Sequence, residues 1–200
     1  MVTDVQGVER LRERDAQAFR SLIDRLQQPI TGYLHRLVGD REVALDLAQD
    51  TFVQVYKEIN KTSGEFALDA WIYRIATNYG LRYLNRQRLR QFVRLDSRES
   101  FDESLAVAGP EDQTETRILI EQALGTMRPI DAALLQLHYG NGFTYEEISQ
   151  VMEMSSEAVR KRVSRSVERF RRVYGKKMPS VRSQRYENSI KVKVTSKGIK

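Results

Sequence analysis

Apolar residues recur every three or four positions through almost the whole of residues 8–172, and that period admits helices and little else. Val8, Leu11, Phe19, Leu22, Ile23 and Leu26 share one helical face, with Asp15 placed to act as an N-cap inside that stretch. Pro29 is expected to open a second helix carrying Ile30, Tyr33, Leu34, Leu37 and Val38, and Gly39-Asp40 to end it and cap the next. A third helix is expected over 41–59. At about 100° per residue, Ala44, Ala48, Phe52, Val55 and Ile59 fall on one face of it, and Asp46, Gln49, Asp50, Val53 and Lys57 on the other. Residues 60–65 read as a loop. A fourth helix is expected over 67–90, turning basic at its end with Arg82, Arg86, Arg88, Arg90 and then Arg94.

The periodicity lapses between the two halves. Residues 97–112 are polar and acidic, contain Gly109-Pro110 and read as a linker. Beyond it Ile118, Leu119, Ala123 and Leu124 mark an amphipathic helix. Arg128-Pro129 starts another that runs through Leu134, Leu135, Leu137 and Tyr139, and Gly140-Asn141-Gly142 makes a turn. Two short helices are expected over 145–152 and 156–174. The expected fold class is therefore all-α: two small helical domains, residues 1–95 and 116–175, joined by a flexible linker, residues 96–115, with a basic, disordered tail over 176–200. Only 4 Pro and 11 Gly interrupt the 200 residues, as suits short connections.

Composition excludes several chemistries. The absence of Cys removes disulfides, thiol catalysis and thiolate metal sites together. No phosphate-cradling GxxxxGK[ST] loop and no GxGxxG follows a strand, so nucleotide hydrolysis and dinucleotide binding have no support. His35 and His138 are far apart, and Asp46/Asp50 has no His beside it, so no cofactor, metal or catalytic residue is expected. No apolar run approaches the ~18 residues of a membrane span. The N-terminus lacks a signal-peptide pattern, so a cytoplasmic protein without membrane insertion is expected. The net charge of +6 is misleading. From Lys176 to Lys200 eight Lys and Arg oppose one Glu, so the tail carries +7 and the body −1. The useful signal is clustering.

That signal is strongest over 144–172. Thr144 with Glu147 three residues on fits a capping box, and Ile148, Val151 and Met152 supply an inward face. Glu153-Met154-Ser155 is a turn, and Ser155 or Ser156 caps the following helix. In that helix Val159, Val163, Val167 and Phe170 form the buried stripe. Between Glu157 and Arg172 seven cations face two acids. The pattern is that of a helix-turn-helix, whose second helix enters the major groove by its N-terminal half. Glu157, Arg160, Lys161 and Ser164 are placed near bases, and Arg165, Arg169, Arg171 and Arg172 near the backbone, with Ser156 also on the DNA-binding helix. The plain alternative is a solvated cationic helix.

The runs RLVGDREVALDLAQDTFVQVYKEI (36–59) and FALDAWIYRIATNYGLRYLNRQR (66–88) resemble region two of extracytoplasmic-function sigma factors. RPIDAALLQLHYGNGFTYEEISQVMEMSSEAVRKRVSRSVERF (128–170) resembles their region four. The resemblance implies a sigma-70-type factor without catalysis that binds core RNA polymerase, at its β′ clamp coiled coil and β flap, and recognises the −35 and −10 elements of promoter DNA. It implies that Asp46, Gln49, Asp50, Val53 and Lys57 meet the clamp. It implies that Asn60, Lys61, Ser63, Trp71, Arg74, Asn78, Arg82, Arg86 and Arg88 handle the displaced −10 strand, where cations and rings neutralise and stack on unpaired bases. Trp71, Tyr79 and Tyr83 also fit plain core packing. It implies the −35 element for the helix from Ser156 to Arg172. Linker acids Asp102, Glu103, Glu111 and Asp112 would lie near the polymerase channel, and family members are often held by an anti-sigma factor. The chain departs from the family pattern at Leu45 and Arg82, where acids are usual, and at Glu157 and Ala158, where Gly and Thr are usual. These departures leave the −35 preference open and keep a protein-binding paralogue in view; the helix-turn-helix by itself also fits a stand-alone regulator, against which the region-two resemblance argues.

Overall fold

The computed structural model describes residues 5–64, 66–95 and 111–177, with side chains described over 6–64, 66–90 and 118–175. Its helices are α1 (Val5–Arg12), α2 (Ala16–Val38), α3 (Arg41–Glu58), α4 (Leu68–Leu95), α5 (Glu111–Gly125), α6 (Pro129–Leu135), α7 (Tyr145–Met152) and α8 (Ser156–Lys177). A 3₁₀ turn, Ile59–Lys61, continues α3, and a π turn, Gln136–Gly140, continues α6. No strand occurs among the described residues.

The boundaries follow local chemistry. Asp15 accepts hydrogen bonds from the Gln17 and Ala18 amides at 2.8 and 3.0 Å and starts α2. Gly39 takes the left-handed conformation (φ 81°) that closes α2, its amide donating to the His35 carbonyl at 2.8 Å. Asp40 then caps α3 through the Glu42 and Val43 amides. Thr144 and Glu147 form the reciprocal capping box of α7, and Ser155 accepts from the Ala158 amide at the start of α8.

Two expectations are corrected. Pro29 does not open a helix; it sits inside the unbroken α2. Proline in a helix interior costs about 3 kcal/mol, through a lost amide donor and a ring clash. Here the ring points to solvent while Leu26, Ile30, Tyr33, Leu34 and Leu37 bury on the other side, and that burial offsets the cost. Helix α5 begins at Glu111, inside the segment read as linker. Polar and acidic residues are as common in the first turn of a helix as in a loop, so composition alone does not separate the two.

Helices α2, α3 and α4 pack on one another, and α1 lies across α2 and the 3₁₀ turn. Ala44, Ala48, Thr51 and Val55 turn inward from α3. At Gly80 a Cβ would stand 2.8 Å from Leu37 Cδ2, so the glycine lets α4 lie close against α2. Arg25 clamps the start of α4 with two 2.8 Å bonds to the buried Asp69. Tyr33, fully buried, meets Thr77 at 2.8 Å. Since the Thr77 hydroxyl donates its one proton to the Tyr73 carbonyl, Tyr33 is the donor in that pair.

The second set, α5–α8, packs around Leu134, Leu137, Ile148, Val159 and Val163, and α7 lies against α4. The junction is Tyr73. Its ring meets Tyr33 at 5.4 Å and Phe143 at 4.8 Å, both edge to face, and its hydroxyl accepts from Asn141 Nδ2 at 2.8 Å. Burial pushes the Tyr73 phenol up to about 12. One contiguous apolar cluster therefore runs from Leu11 through Ala76 and on through Val163. Phe143→Ala should cost about 3–5 kcal/mol. Trp71, the chain's single tryptophan, lies in the other helical set. The expected result is that Phe143→Ala lowers the midpoint of Trp71 fluorescence on heating; an unchanged midpoint would mean that the two sets melt independently.

Candidate nucleic-acid interface

The outer face of α3 is continuous. Asp46, Gln49, Asp50, Val53 and Lys57 are all exposed, as helical spacing requires once Ala44, Ala48, Thr51 and Val55 are buried. Leu45 and Val53 are 46% and 45% exposed within this acidic surface. Tyr56, also exposed, is held at its edge by Phe19 (4.9 Å) and by the Arg14 guanidinium over its ring (5.3 Å).

A second surface begins at the turn after α3. Asn60, Lys61 and Ser63 are exposed. The turn is held from behind by Arg12 of α1, which donates to Thr62 Oγ1 at 3.2 Å and to the Gly64 carbonyl at 2.6 Å and lies 5.7 Å from the Phe66 ring. Arg12 carried no sequence signal, because its partners stand about fifty residues away. On α4, Trp71, Arg74, Asn78, Arg82 and Arg86 fall within roughly a third of the helix circumference, while Arg88 lies to one side of that stripe. Asn78, Arg82, Arg86 and Arg88 are exposed. Trp71 is half-buried, edge to face with Phe66 at 5.7 Å, and packs on the core. Arg74 is half-buried and ion-paired with Glu153 of the turn between α7 and α8. The stripe therefore presents fewer groups to solvent than spacing alone implies. The Arg94 side chain, acids Asp102 and Glu103, the Glu111 and Asp112 side chains and the tail from Lys176 lie outside the described side chains.

The third surface is α8. Glu157, Arg160, Lys161, Ser164, Arg165, Arg169, Arg171 and Arg172 are exposed and Ser156 is half-buried. Val159 and Val163 are buried, and Val167 and Phe170 partly so, with Ser166 completing the inner face. Lys161 pairs with Glu157 at 2.6 Å, one turn apart. The Arg160 guanidinium lies 5.7 Å from the Tyr145 ring, which stacks on His138 at 4.6 Å. His138 in turn meets the Phe143 carbonyl at 2.8 Å through Nδ1. A cation in the first turns of α8 is thus steered by a ring of α7.

Arg169 is not simply a backbone-facing cation. Its Nη1 donates to Asp131 at 2.8 Å, and Asp131 also accepts from Arg162 Nε at 2.8 Å and Arg128 Nε at 2.9 Å. Sequence reasoning missed Arg128, Asp131 and Arg162 as a group. An acid in the first turn of α6 reads as a dipole partner, and its cationic partners on α8 lie 31 and 38 residues on. Burial alone pushes the Asp131 carboxyl up, but hydrogen bonds from Arg162 and Arg128 and their charges outweigh it and hold the group below its ordinary value. Among the described residues no group of three or more His, Cys, Asp or Glu is placed to hold a metal, and no described helix is long and apolar enough to cross a membrane.

A bundle with an exposed acidic face on α3 and a basic stripe on α4, joined to a helix-turn-helix, defines a class of two-part DNA-binding factor. Comparison with known proteins supplies the family. Residues 22–90 match Sigma-70 region 2 and residues 117–170 match Sigma-70, region 4. An ECF RNA polymerase sigma-E factor of Haemophilus influenzae is 30% identical over 176 residues, covering 84% of this chain and 93% of that protein. The RNA polymerase sigma-H factor of Pseudomonas aeruginosa is 30% identical over 174 residues, covering 82% and 90%. Two solved structures share the fold. The sigma factor RpoE of Bartonella quintana, in complex with the anti-sigma factor NepR, gives a TM-score of 0.64 at 21% identity over 78% of this chain and 95% of that one. CnrH, in complex with the cytosolic domain of CnrY, gives 0.63 at 19% identity over 84% and 95%. The chain belongs to the sigma-70 family, in its extracytoplasmic-function group. It is an alternative sigma factor, which directs transcription initiation.

Because Asp131 has a lower pKa folded than unfolded, where a carboxyl titrates near 4, its charged form stabilises the fold above that value. The contribution is lost as pH falls through the folded value. In urea unfolding, the advantage of the wild type over Asp131→Asn should be about 1–3 kcal/mol and constant from pH 5 to 8. It should shrink below pH 4; an advantage that instead grew on acidification would contradict the assignment.

Proposed function

We propose that the exposed face of α3, Asp46, Gln49, Asp50, Val53 and Lys57, docks on the β′ clamp coiled coil of core RNA polymerase. The single observation that carries this reading is that all five side chains face solvent from a helix whose other side is buried, with two apolar groups, Leu45 and Val53, left open among acids. Lone exposed apolar residues are ordinary; two of them about two turns apart on one side of a charged helix suit a partner.

The same reading gives the turn at Asn60, Lys61 and Ser63 and the stripe of Trp71, Arg74, Asn78, Arg82 and Arg86, flanked by Arg88, to the separated strand of the −10 element. Cations neutralise the strand, and a ring such as Trp71 supplies a stacking face. It gives α8 to the −35 duplex, with Ser156, Glu157, Arg160, Lys161 and Ser164 toward bases and Arg165, Arg169 and Arg172 toward phosphates. Glu157 favours a cytosine amino donor on the base edge it meets. The phosphoryl chemistry belongs to the polymerase, and this chain has no step of its own in it. The β flap is the second polymerase contact. An anti-sigma factor is a further partner, by likeness to the two complexes, and the site of action is the cytoplasm, where the polymerase is.

The test is equilibrium binding of the labelled chain to sigma-free bacterial core polymerase. Asp46→Lys with Asp50→Lys should weaken it at least a hundredfold, since like charges set against each other cost several kcal/mol. The far-ultraviolet circular dichroism should be unchanged, because both residues are exposed. Undiminished binding would move the polymerase contact off α3. On DNA, Arg160→Ala should cost about 1–3 kcal/mol and relax preference at one base pair. Arg172→Ala should weaken all duplexes evenly and lower the salt slope by about one; the reverse pattern would exchange their roles.

A further inference from the structure

We propose that the cleft between α6 and α8 is a phosphate-binding site whose arginines are set by Asp131, which makes Asp131 a positioning residue for the −35 complex. The proposal rests on the reading of α8 as the duplex-binding helix and adds to it a seat and its organiser. The cleft has a volume of about 530 Å³ and is bordered by Arg128, Lys161, Arg162, Arg165 and Arg169, with Asp131 and Glu157 as its acids. Five cations against two acids leave it strongly positive.

Asp131 lies at its floor. Its side chain is 1% exposed and takes one donor each from Arg128, Arg162 and Arg169. A carboxylate neutralises one of three guanidiniums. Each guanidinium carries five N–H donors in a rigid fork, so most of that donor capacity remains after Asp131 is served. Arg128 and Arg169 keep 62% and 46% of their side-chain surface open beside the cleft. The same carboxylate limits where the forks can point, which free arginines on a solvated helix do not share. Planar forks converging from two helices suit a tetrahedral anion with several acceptor oxygens, that is a phosphate. Glu157 and Lys161, on the first turns of α8, form the rim, so a duplex read by those turns brings its own backbone to the cleft. The cleft is not legible in the sequence because α6 and its N-cap contribute Asp131 and Arg128 while α8 contributes the other charged groups.

Asp131→Asn separates position from charge. It makes the cleft more positive by one unit, so charge alone would tighten binding to every duplex. Positioning requires the opposite. With the full chain assembled on core polymerase and a duplex carrying its −35 element, Asp131→Asn is expected to bind at least tenfold more weakly, with a salt slope smaller by about one. Arg128→Gln and Arg169→Gln, both partly exposed, are expected to lower the slope by about one each, and they test the site if Asp131→Asn does not fold. Binding by all three variants with wild-type slope and affinity would overturn the proposal. Inorganic phosphate supplies the second arm, followed by NMR of the Arg128 and Arg162 Nε–H resonances against chloride at equal ionic strength. Saturable shifts that Arg128→Gln abolishes establish an anion seat open to free phosphate even if α8 reads no −35 duplex. Reduced slopes without such shifts assign the seat to backbone phosphate alone. Wild-type slopes together with no saturable phosphate shifts would overturn both the seat and its role.

Discussion

The structure depends on one ring. Tyr73 stands between Tyr33 of α2 and Phe143 of the loop before α7, with its hydroxyl taken by Asn141. Edge-to-face aromatic pairs are worth about 0.5–1.5 kcal/mol beyond their buried area, so this trio is a strong joint. It ties α4, the helix that carries the basic stripe, to the helix-turn-helix. It also sets Arg74 beside Glu153. An exposed ion pair of this kind contributes little to stability, roughly 0–1 kcal/mol. Its consequence is positional: Arg74 is engaged by the second helical set in this arrangement, and a strand on the stripe would have to compete for it.

Around that joint the charges are sorted by geometry. On α3 one side fills the core and the other collects acids with Leu45 and Val53. On α8 the cations divide. Arg160 is steered by Tyr145, Lys161 by Glu157, and Arg162 and Arg169 by the buried carboxylate of Asp131. A helix that was merely solvated would leave those choices to water. Here an aromatic face, a neighbouring acid and a buried acid each fix a different part of the surface.

Most of the elements were legible because their causes are local. Asp15, Gly39, Asp40 and Thr144 act within four residues of themselves, and the inward faces of α3 and α8 follow from a period of 3.6. Pro29 misled, since local chemistry says stop and the five apolar side chains around it, which bury at long range, say continue. The exposed faces of α3, α4 and α8 were legible as spacing on single helices, and the partners proposed for them come from the resemblance. What spacing could not supply was any group built across helices: Arg12 behind the turn at Thr62, Tyr73 against Phe143, and three arginines around Asp131. Each includes a partner some thirty to seventy positions away, and no one-dimensional pattern carries that distance.

The central claim, that α3 recruits polymerase while α4 and α8 select the promoter, is tested most directly by sequencing the transcripts that sigma-free core polymerase makes from a fragmented bacterial genomic library when this chain is added. The account expects new start sites that share two spaced upstream motifs and that disappear with Asp46→Lys and Asp50→Lys. A folded helical sample that produces no new starts would contradict it.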